Sequence, residues 1–296
     1  MARKKKKSKI NILQEYLILV IPVLLLVAFG LGFGIAKVQS SFSQSRIDGP
    51  KTDMSVLPPD IRQELAVASP AASFRVPVLM YHYVEFVQNK SDWMRVALNV
   101  EPPILEEQIQ TLQSAGYTFM TAKELGEALD GKRTLPKKPV LLTFDDGHRD
   151  FYTGAFPIIK KYQVKVTNYV ISGLLGGSDF MTVDQVKQIA QSGLVEVGDH
   201  TVHHIDLKGA PLKEVESEIN DSKKTLESII GGPVVSFAYP AGSFDTQAED
   251  VVKQAGFETA MSTIPGEDLS QNNRFFIYRL RPGNRVEDGL LNFLQQ

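Results

Sequence analysis

Between residues 75 and 280 the chain alternates two patterns. Short runs dense in β-branched and aromatic residues recur at 76–82 (VPVLMYH), 117–120 (YTFM), 139–144 (PVLLTF), 165–171 (KVTNYVI), 194–200 (LVEVGDH), 234–240 (VVSFAYP), 258–263 (ETAMST) and 275–280 (FFIYRL). Between most of them lie longer, helix-like stretches at 102–116, 121–130, 151–162, 182–193, 211–231 and 246–256. Several of these end on glycine, which suits a helix C-terminus because glycine enters the left-handed conformation at little cost. Seven or eight such βα units predict parallel strands wrapped by helices. No G-x-G-x-x-G or phosphate loop follows any strand, so a nucleotide cofactor has no support. The expected fold is α/β, a distorted (β/α)7–8 barrel over residues 75–296.

The chain before residue 75 reads differently. Six Lys/Arg fall within the first nine residues, and Tyr16 to Ala36 then runs without a charge. At ~1.5 Å per helical residue such a run spans roughly 31 Å, about the thickness of a bilayer core. The basic cluster before it predicts a cytoplasmic segment over 1–15, a single transmembrane signal-anchor helix over 16–36 and an external remainder. A cleaved signal peptide, giving a secreted form, is the rival reading; its apolar region is usually only about 7–15 residues and ends at a small-residue site, and no A-x-A follows here. Residues 37–74, with SSFSQS and LPPD, read as an extracellular linker that holds at most a short helix at DIRQELAVA.

Charge and composition then narrow the chemistry. Setting aside the six N-terminal cations and Glu15, 26 Lys/Arg remain against 33 Asp/Glu, so the part from Lys37 onward is acidic. Such a surface is a poor partner for nucleic acid and tolerates a neutral or cationic polymer better than a polyanion. The chain has no cysteine, which excludes disulfides, thiolate metal sites and a cysteine nucleophile.

In a parallel barrel, chemistry gathers at the C-terminal ends of the strands. The first candidate strand ends in His82, the third runs into Asp145 and Asp146, and the fifth ends in His200, followed by Thr-Val-His-His. Of the five histidines, His82, His200, His203 and His204 lie at or just after strand ends, and His148 lies two residues past Asp146. Two adjacent aspartates also fit a solvated loop, but a loop does not account for the histidines. A divalent metal does: histidine and carboxylate ligands suit Zn²⁺, with Co²⁺, Ni²⁺ or Mn²⁺ as alternatives. His200 and His204 face one way if the segment after His200 turns helically. With one aspartate they make three ligands and leave a position for water, whose pKa a metal lowers from ~15.7 towards about 7. The second aspartate is then placed to take the water's proton.

TFDDG (Thr143–Gly147), HTVHH (His200–His204) and FAYPAG (Phe237–Gly242) resemble the motifs of the polysaccharide deacetylases, the NodB homology domain of carbohydrate esterase family 4. The resemblance covers roughly Arg75 to Leu280. It implies a distorted (β/α) barrel that removes N-acetyl groups from glucosamine polymers, or O-acetyl groups from some other glycans. It implies Asp145 as catalytic base, Asp146, His200 and His204 as metal ligands, and the backbone N–H of Ala241 as an oxyanion donor. The same spacing makes His203 a surface neighbour. Two departures from the pattern matter. Ala238 stands where most members carry an arginine, with Arg279 and Arg281 both possible replacements. No histidine follows His204, so the late catalytic histidine is missing, and His82 on the first strand resembles the arrangement in deacetylases of poly-N-acetylglucosamine. The resemblance therefore implies His82 as general acid. Tyr239 and Trp93 are candidate sugar contacts, although each also reads as a packing residue. The expectation is a membrane-anchored N-deacetylase acting on an N-acetylglucosamine polymer outside the cell. Peptidoglycan deacetylation, O-acetyl esterase activity and a non-catalytic glycan-binding module follow as alternatives.

Overall fold

The computed structural model describes residues 56–67 and 74–295. Six parallel strands run side by side almost in chain order: β2 (Val78–Tyr81), β4 (Pro139–Phe144), β5 (Val166–Val170), β6 (Val195–Asp199), β7 (Ser236–Ala238) and β8 (Thr259–Met261), with β3 (Thr118–Met120) also paired to β4. The helices α3 (Pro102–Ser114), α4 (Ala122–Leu129), α5 (Phe156–Tyr162), α6 (Val183–Gln191), α7 (Leu212–Ile230) and α8 (Thr246–Gln254) alternate with these strands, as the sequence pattern predicts. The first half of the helical stretch expected at 151–162 is a π-turn, Phe151–Ala155.

The expected α/β architecture is present as a curled parallel sheet. The eighth expected strand, 275–280, does not form a ladder. Its backbone bonds β8 on one side, where Ile277 N–H donates to Ala260 O (2.8 Å), and β2 on the other, where Leu280 N–H donates to Val78 O (2.8 Å). One isolated bridge on each side, completed by Ser262 N–H to Ile277 O (2.9 Å) and Met80 N–H to Leu280 O (2.8 Å), joins the two edges of the curl without building a regular strand.

Side-chain alternation along the strands decides what faces the interior of the curl. Along β4, Val140, Leu142 and Phe144 pack outward into the large core beneath the helices, and Leu141 packs inward with Val78, Tyr169 and Ala238. Thr143 and Asp145 share the inward parity. β2 pairs with β4 so that Val78 lies beside Leu141 and Tyr81 beside Phe144. Counting on by twos brings His82 and Asp145 inward at the same level. The same count along β6 turns Glu196, Gly198 and His200 inward. Gly198 is required there, because an added Cβ would lie 2.4 Å from ring atoms of the fully buried Tyr169.

The expected linker over 37–74 ends earlier than Arg75. Residues Pro59–Val67 form helix α1, and Leu57 and Ile61 are buried in the main core. Asp60 accepts from Thr246 N–H (2.9 Å) and Oγ1 (2.8 Å) at the start of α8. The apolar positions of this segment find a partner surface, so it belongs to the folded domain. Among the described residues no helix is long and apolar enough to cross a membrane, and the expected span at 16–36 lies outside them.

Two further elements lie outside the repeating pattern. An insertion after β2 carries α2 (Trp93–Leu98), and α9 (Glu287–Phe293) closes the chain. A short antiparallel pair, β1 (Phe74–Arg75) with β9 (Asp268–Leu269), lies apart from the parallel sheet.

Gly198→Ala should destabilise the protein by ~1–3 kcal/mol, since Tyr169 has no room to yield. The urea midpoint reads this directly, and an unchanged midpoint would refute the packing argument.

Candidate active site

His82, Asp145 and His200 project from the C-terminal ends of β2, β4 and β6. Backbone bonds set their level: Asp145 N–H donates to Tyr81 O (2.9 Å), and His200 N–H donates to Val170 O (3.1 Å). The two aspartates then separate by a backbone device. Asp145 continues the strand and points inward, whereas Asp146 takes φ 73° and Gly147 follows at φ 72°. The left-handed step swings the second carboxylate away from the first, at a cost that Asp bears better than most residues.

Asp145 is buried and held by Arg279 through two bonds, Nη1 to Oδ1 and Nη2 to Oδ2, both 2.7 Å. Arg279 is itself 1% exposed, and it also donates to Ser262 O (2.7 Å) and Thr143 Oγ1 (3.2 Å). Burial works to raise the Asp145 pKa, but the charge and bonds of Arg279 outweigh it and hold the carboxyl below the usual range. Arg279 therefore supplies the cation missing at Ala238, while Arg281 is exposed. Ala238 is an inward position of β7, and its small side chain leaves the interior free for an arginine arriving from the next segment. His82 Nε2 lies 4.0 Å from Asp145 Oδ2. Burial pushes the His82 pKa down, with Asp145 and Asp146 pulling against it.

Asp146, His200 and His204 converge, with one ligand atom of each within 4.8 Å of the others. Asp146 Oδ1 is 3.3 Å from His200 Nε2 and 3.6 Å from His204 Nε2. With metal–ligand bonds of ~2.0–2.1 Å, a tetrahedron has edges of about 3.3 Å, so the donor set fits a small divalent cation. His200 Nδ1 lies 2.6 Å from Ala238 O, which fixes that nitrogen as the N–H and leaves Nε2 with a free lone pair. Burial, and after it the neighbouring His200, push the His204 pKa down, which favours the neutral ligand form.

The segment between the two histidines is not helical. Thr201 (φ 65°) and His204 (φ 59°) are both left-handed, and a network of hydrogen bonds holds them. Asp199 Oδ1 accepts from Thr201 N–H (2.7 Å), and Thr201 Oγ1 accepts from His204 N–H (3.0 Å). Glu218 of α7 accepts from the N–H groups of Val202 (3.0 Å) and His203 (2.8 Å) and pairs with His203 Nδ1 (2.6 Å). The His200 and His204 rings meet edge to face at 4.9 Å across this turn. His203 points to solvent, in keeping with a surface position.

Tyr239 needs correction as a sugar contact. Ser236 and Ala238 face the interior, so Tyr239 carries the opposite parity. It is fully buried, stacked on Phe244 at 4.5 Å and edge-on to Phe237. That alternation was the available signal. Trp93 is 73% exposed at the start of α2, a helix tied to the site side through Arg95. Ala241 is exposed in the Pro240–Gly242 turn after β7, at φ 52°. His148 beside Asp146 and Glu218 beneath the histidine turn hold their places through residues distant in sequence, so neither role shows in local spacing.

Comparison with known proteins now decides the family. Residues 132–260 match the polysaccharide deacetylase family model. The deacetylase PplD of Streptococcus pyogenes, solved with acetate, shares 31% identity, with 76% of this chain and all of that one covered (TM-score 0.70). The chain belongs to the polysaccharide deacetylase family. A polysaccharide deacetylase from Bacillus cereus is similar at 27% identity (TM-score 0.65, 75% of this chain and 69% of that one). The poly-β-1,6-N-acetyl-D-glucosamine N-deacetylase of Staphylococcus aureus is 30% identical over 189 residues, which span 59% of this chain and 64% of that enzyme.

Arg279→Ala should cost on the order of 3–5 kcal/mol, because it leaves the Asp145 charge buried and unpaired. Adding Asp145→Asn should recover part of that loss in a denaturation double-mutant cycle; strict additivity would refute the coupling.

Proposed function

We propose that this deacetylase hydrolyses N-acetyl groups of a poly-β-1,6-N-acetylglucosamine-type polysaccharide, with Asp145 as base and His82 as acid. The observation that carries the reading is the pairing of His82, from the first strand of the sheet, with Asp145 at 4.0 Å beside the Asp146–His200–His204 cluster. The likeness to the S. aureus enzyme supports the substrate class. The cluster would hold Zn²⁺, which when bound polarises the acetamide carbonyl and acidifies a water.

Asp145 takes one proton from the attacking water. Both its oxygens bond Arg279, yet each keeps a lone pair, and the depressed pKa keeps it ionised and ready to accept. The water oxygen adds to the carbonyl carbon, and the carbon–nitrogen bond then breaks. His82 in its protonated form, which the charges of Asp145 and Asp146 favour against burial, delivers a proton to the departing nitrogen, so the products are acetate and a glucosamine amine. The Ala241 N–H would donate to the oxyanion, a contact typically worth ~2.7–4 kcal/mol in the transition state. The acidic surface suits a product that gains positive charge as it loses acetyl groups. Trp93 offers an exposed ring to the sugar chain. Residues 16–36 would tether the enzyme to the membrane with the catalytic domain outside.

Acetate release from β-1,6-linked N-acetylglucosamine oligomers, with peptidoglycan as comparison, tests the reading. Turnover of peptidoglycan alone would overturn the substrate, and no acetate from either would overturn the reaction. Asp145→Asn should abolish turnover while zinc binding persists. His82→Ala should lose on the order of 10²–10⁴ in rate; a loss below about tenfold would remove it as the acid.

A further inference from the structure

His148 lies just past the paired aspartates, and neither the chemistry above nor the family motifs uses it. Its ring is buried and sandwiched. Tyr83 stacks on one face at 4.1 Å and 22°, and Phe180 on the other at 5.1 Å and 27°. The Arg95 guanidinium caps the outer face of Tyr83 at 4.4 Å, and is held by Glu85 (2.7 Å) and Asp179 (3.0 Å). The backbone is pinned as well. Arg149 N–H donates to Asp179 O (2.7 Å), and Met181 N–H donates to Gly147 O (3.0 Å). A ring restrained on both faces and along its backbone can turn only one edge to the site.

That edge carries Nε2, 3.1 Å from Asp146 Oδ2. The other nitrogen, Nδ1, is buried with no partner. The two oxygens of Asp146 thus face different groups: Oδ1 faces His200 and His204, and Oδ2 faces His148. A carboxylate on a cation only accepts, so Nε2 carries the hydrogen. We propose that His148 is a positioning residue, which donates Nε2–H to Asp146 Oδ2 and restricts that carboxylate to a single ligand oxygen. The bond turns Oδ2 towards His148 and away from the two histidines, so Asp146 would ligate through Oδ1 alone and leave coordination positions for water and substrate. The stack extends this control to the insertion after β2, since α2 supplies Arg95.

The inference rests on the reading of the cluster as a metal site, and the experiment separates the two. Zn²⁺ affinity of the full-length protein is measured by competition with a chromophoric chelator for wild type, His148→Phe and His148→Gln, together with metal-free melting temperatures. Phenylalanine keeps the stack without the donor, and the glutamine amide can place a donor near Nε2. We expect a ~10–100-fold weaker Kd for His148→Phe at an unchanged metal-free Tm, and a value within about threefold of wild type for His148→Gln. A Kd for His148→Phe within about twofold of wild type, or equal losses in both variants, overturns the assignment. Wild type that takes up no zinc overturns the metal site and this inference with it. Should His148→Phe fail to fold, ¹⁵N-histidine NMR of the zinc-loaded wild type decides: the Nε2–H tautomer at His148 supports the role, and the Nδ1–H tautomer overturns it.

Discussion

The buried pair of Asp145 and Arg279 is the interaction on which the interior of the curled sheet depends. A carboxylate pointing inward from β4 loses its hydration, and an uncompensated charge there costs several kcal/mol. The guanidinium answers with a planar, bidentate fork, and two of its three other N–H groups find Ser262 O and Thr143 Oγ1. The pair also has a topological effect. Arg279 lies in the 277–280 segment that joins the two edges of the sheet, so the Asp145 carboxylate and the closure of the curl are fastened at one point. An ionised carboxylate can persist inside the protein because the segment that finishes the fold brings its counter-charge.

Beside that rigid centre, the Asp146–His200–His204 cluster is built from conformations that most residues avoid. Asp146, Thr201 and His204 all take positive φ. Each such residue is costly alone, and the surrounding hydrogen bonds of Asp199, Thr201, Glu218 and His148 over-determine them. The outcome is a pair of adjacent aspartates with different work. One side chain stays in the strand's inward register beside Arg279, and its neighbour leaves the register to meet two histidines. Two like charges that would repel in a loop are instead turned apart and given separate partners.

The N-deacetylase reading joins this geometry to the character of the surface. Loss of acetyl groups turns a neutral polymer into a cationic one, and an acidic protein does not repel its own product. The exposed Trp93 sits on a helix whose Arg95 reaches, through Tyr83, the histidine beside Asp146. The exposed Trp93 helix and the Asp146 carboxylate are thereby joined through one packed stack.

The sequence by itself determined the βα order, the polar residues at the strand ends and the joint TFDDG and H-T-x-x-H signal. These are local regularities: strand alternation and a polar end to an apolar run are written in consecutive residues. It also contained the parity that buries Tyr239, although an aromatic beside a motif invites the opposite reading. Only the tertiary structure decided that Arg279 and not Arg281 pairs with Asp145, since the partners are 134 residues apart and one has to be turned inward. It alone showed that the histidine segment is a left-handed turn instead of a helix, because non-glycine residues at positive φ are sustained by bonds from α7 and β6. The docking of α1 and the stack around His148 belong to the same class. Each depends on a surface assembled from distant parts of the chain, and no spacing within a window of neighbours encodes it.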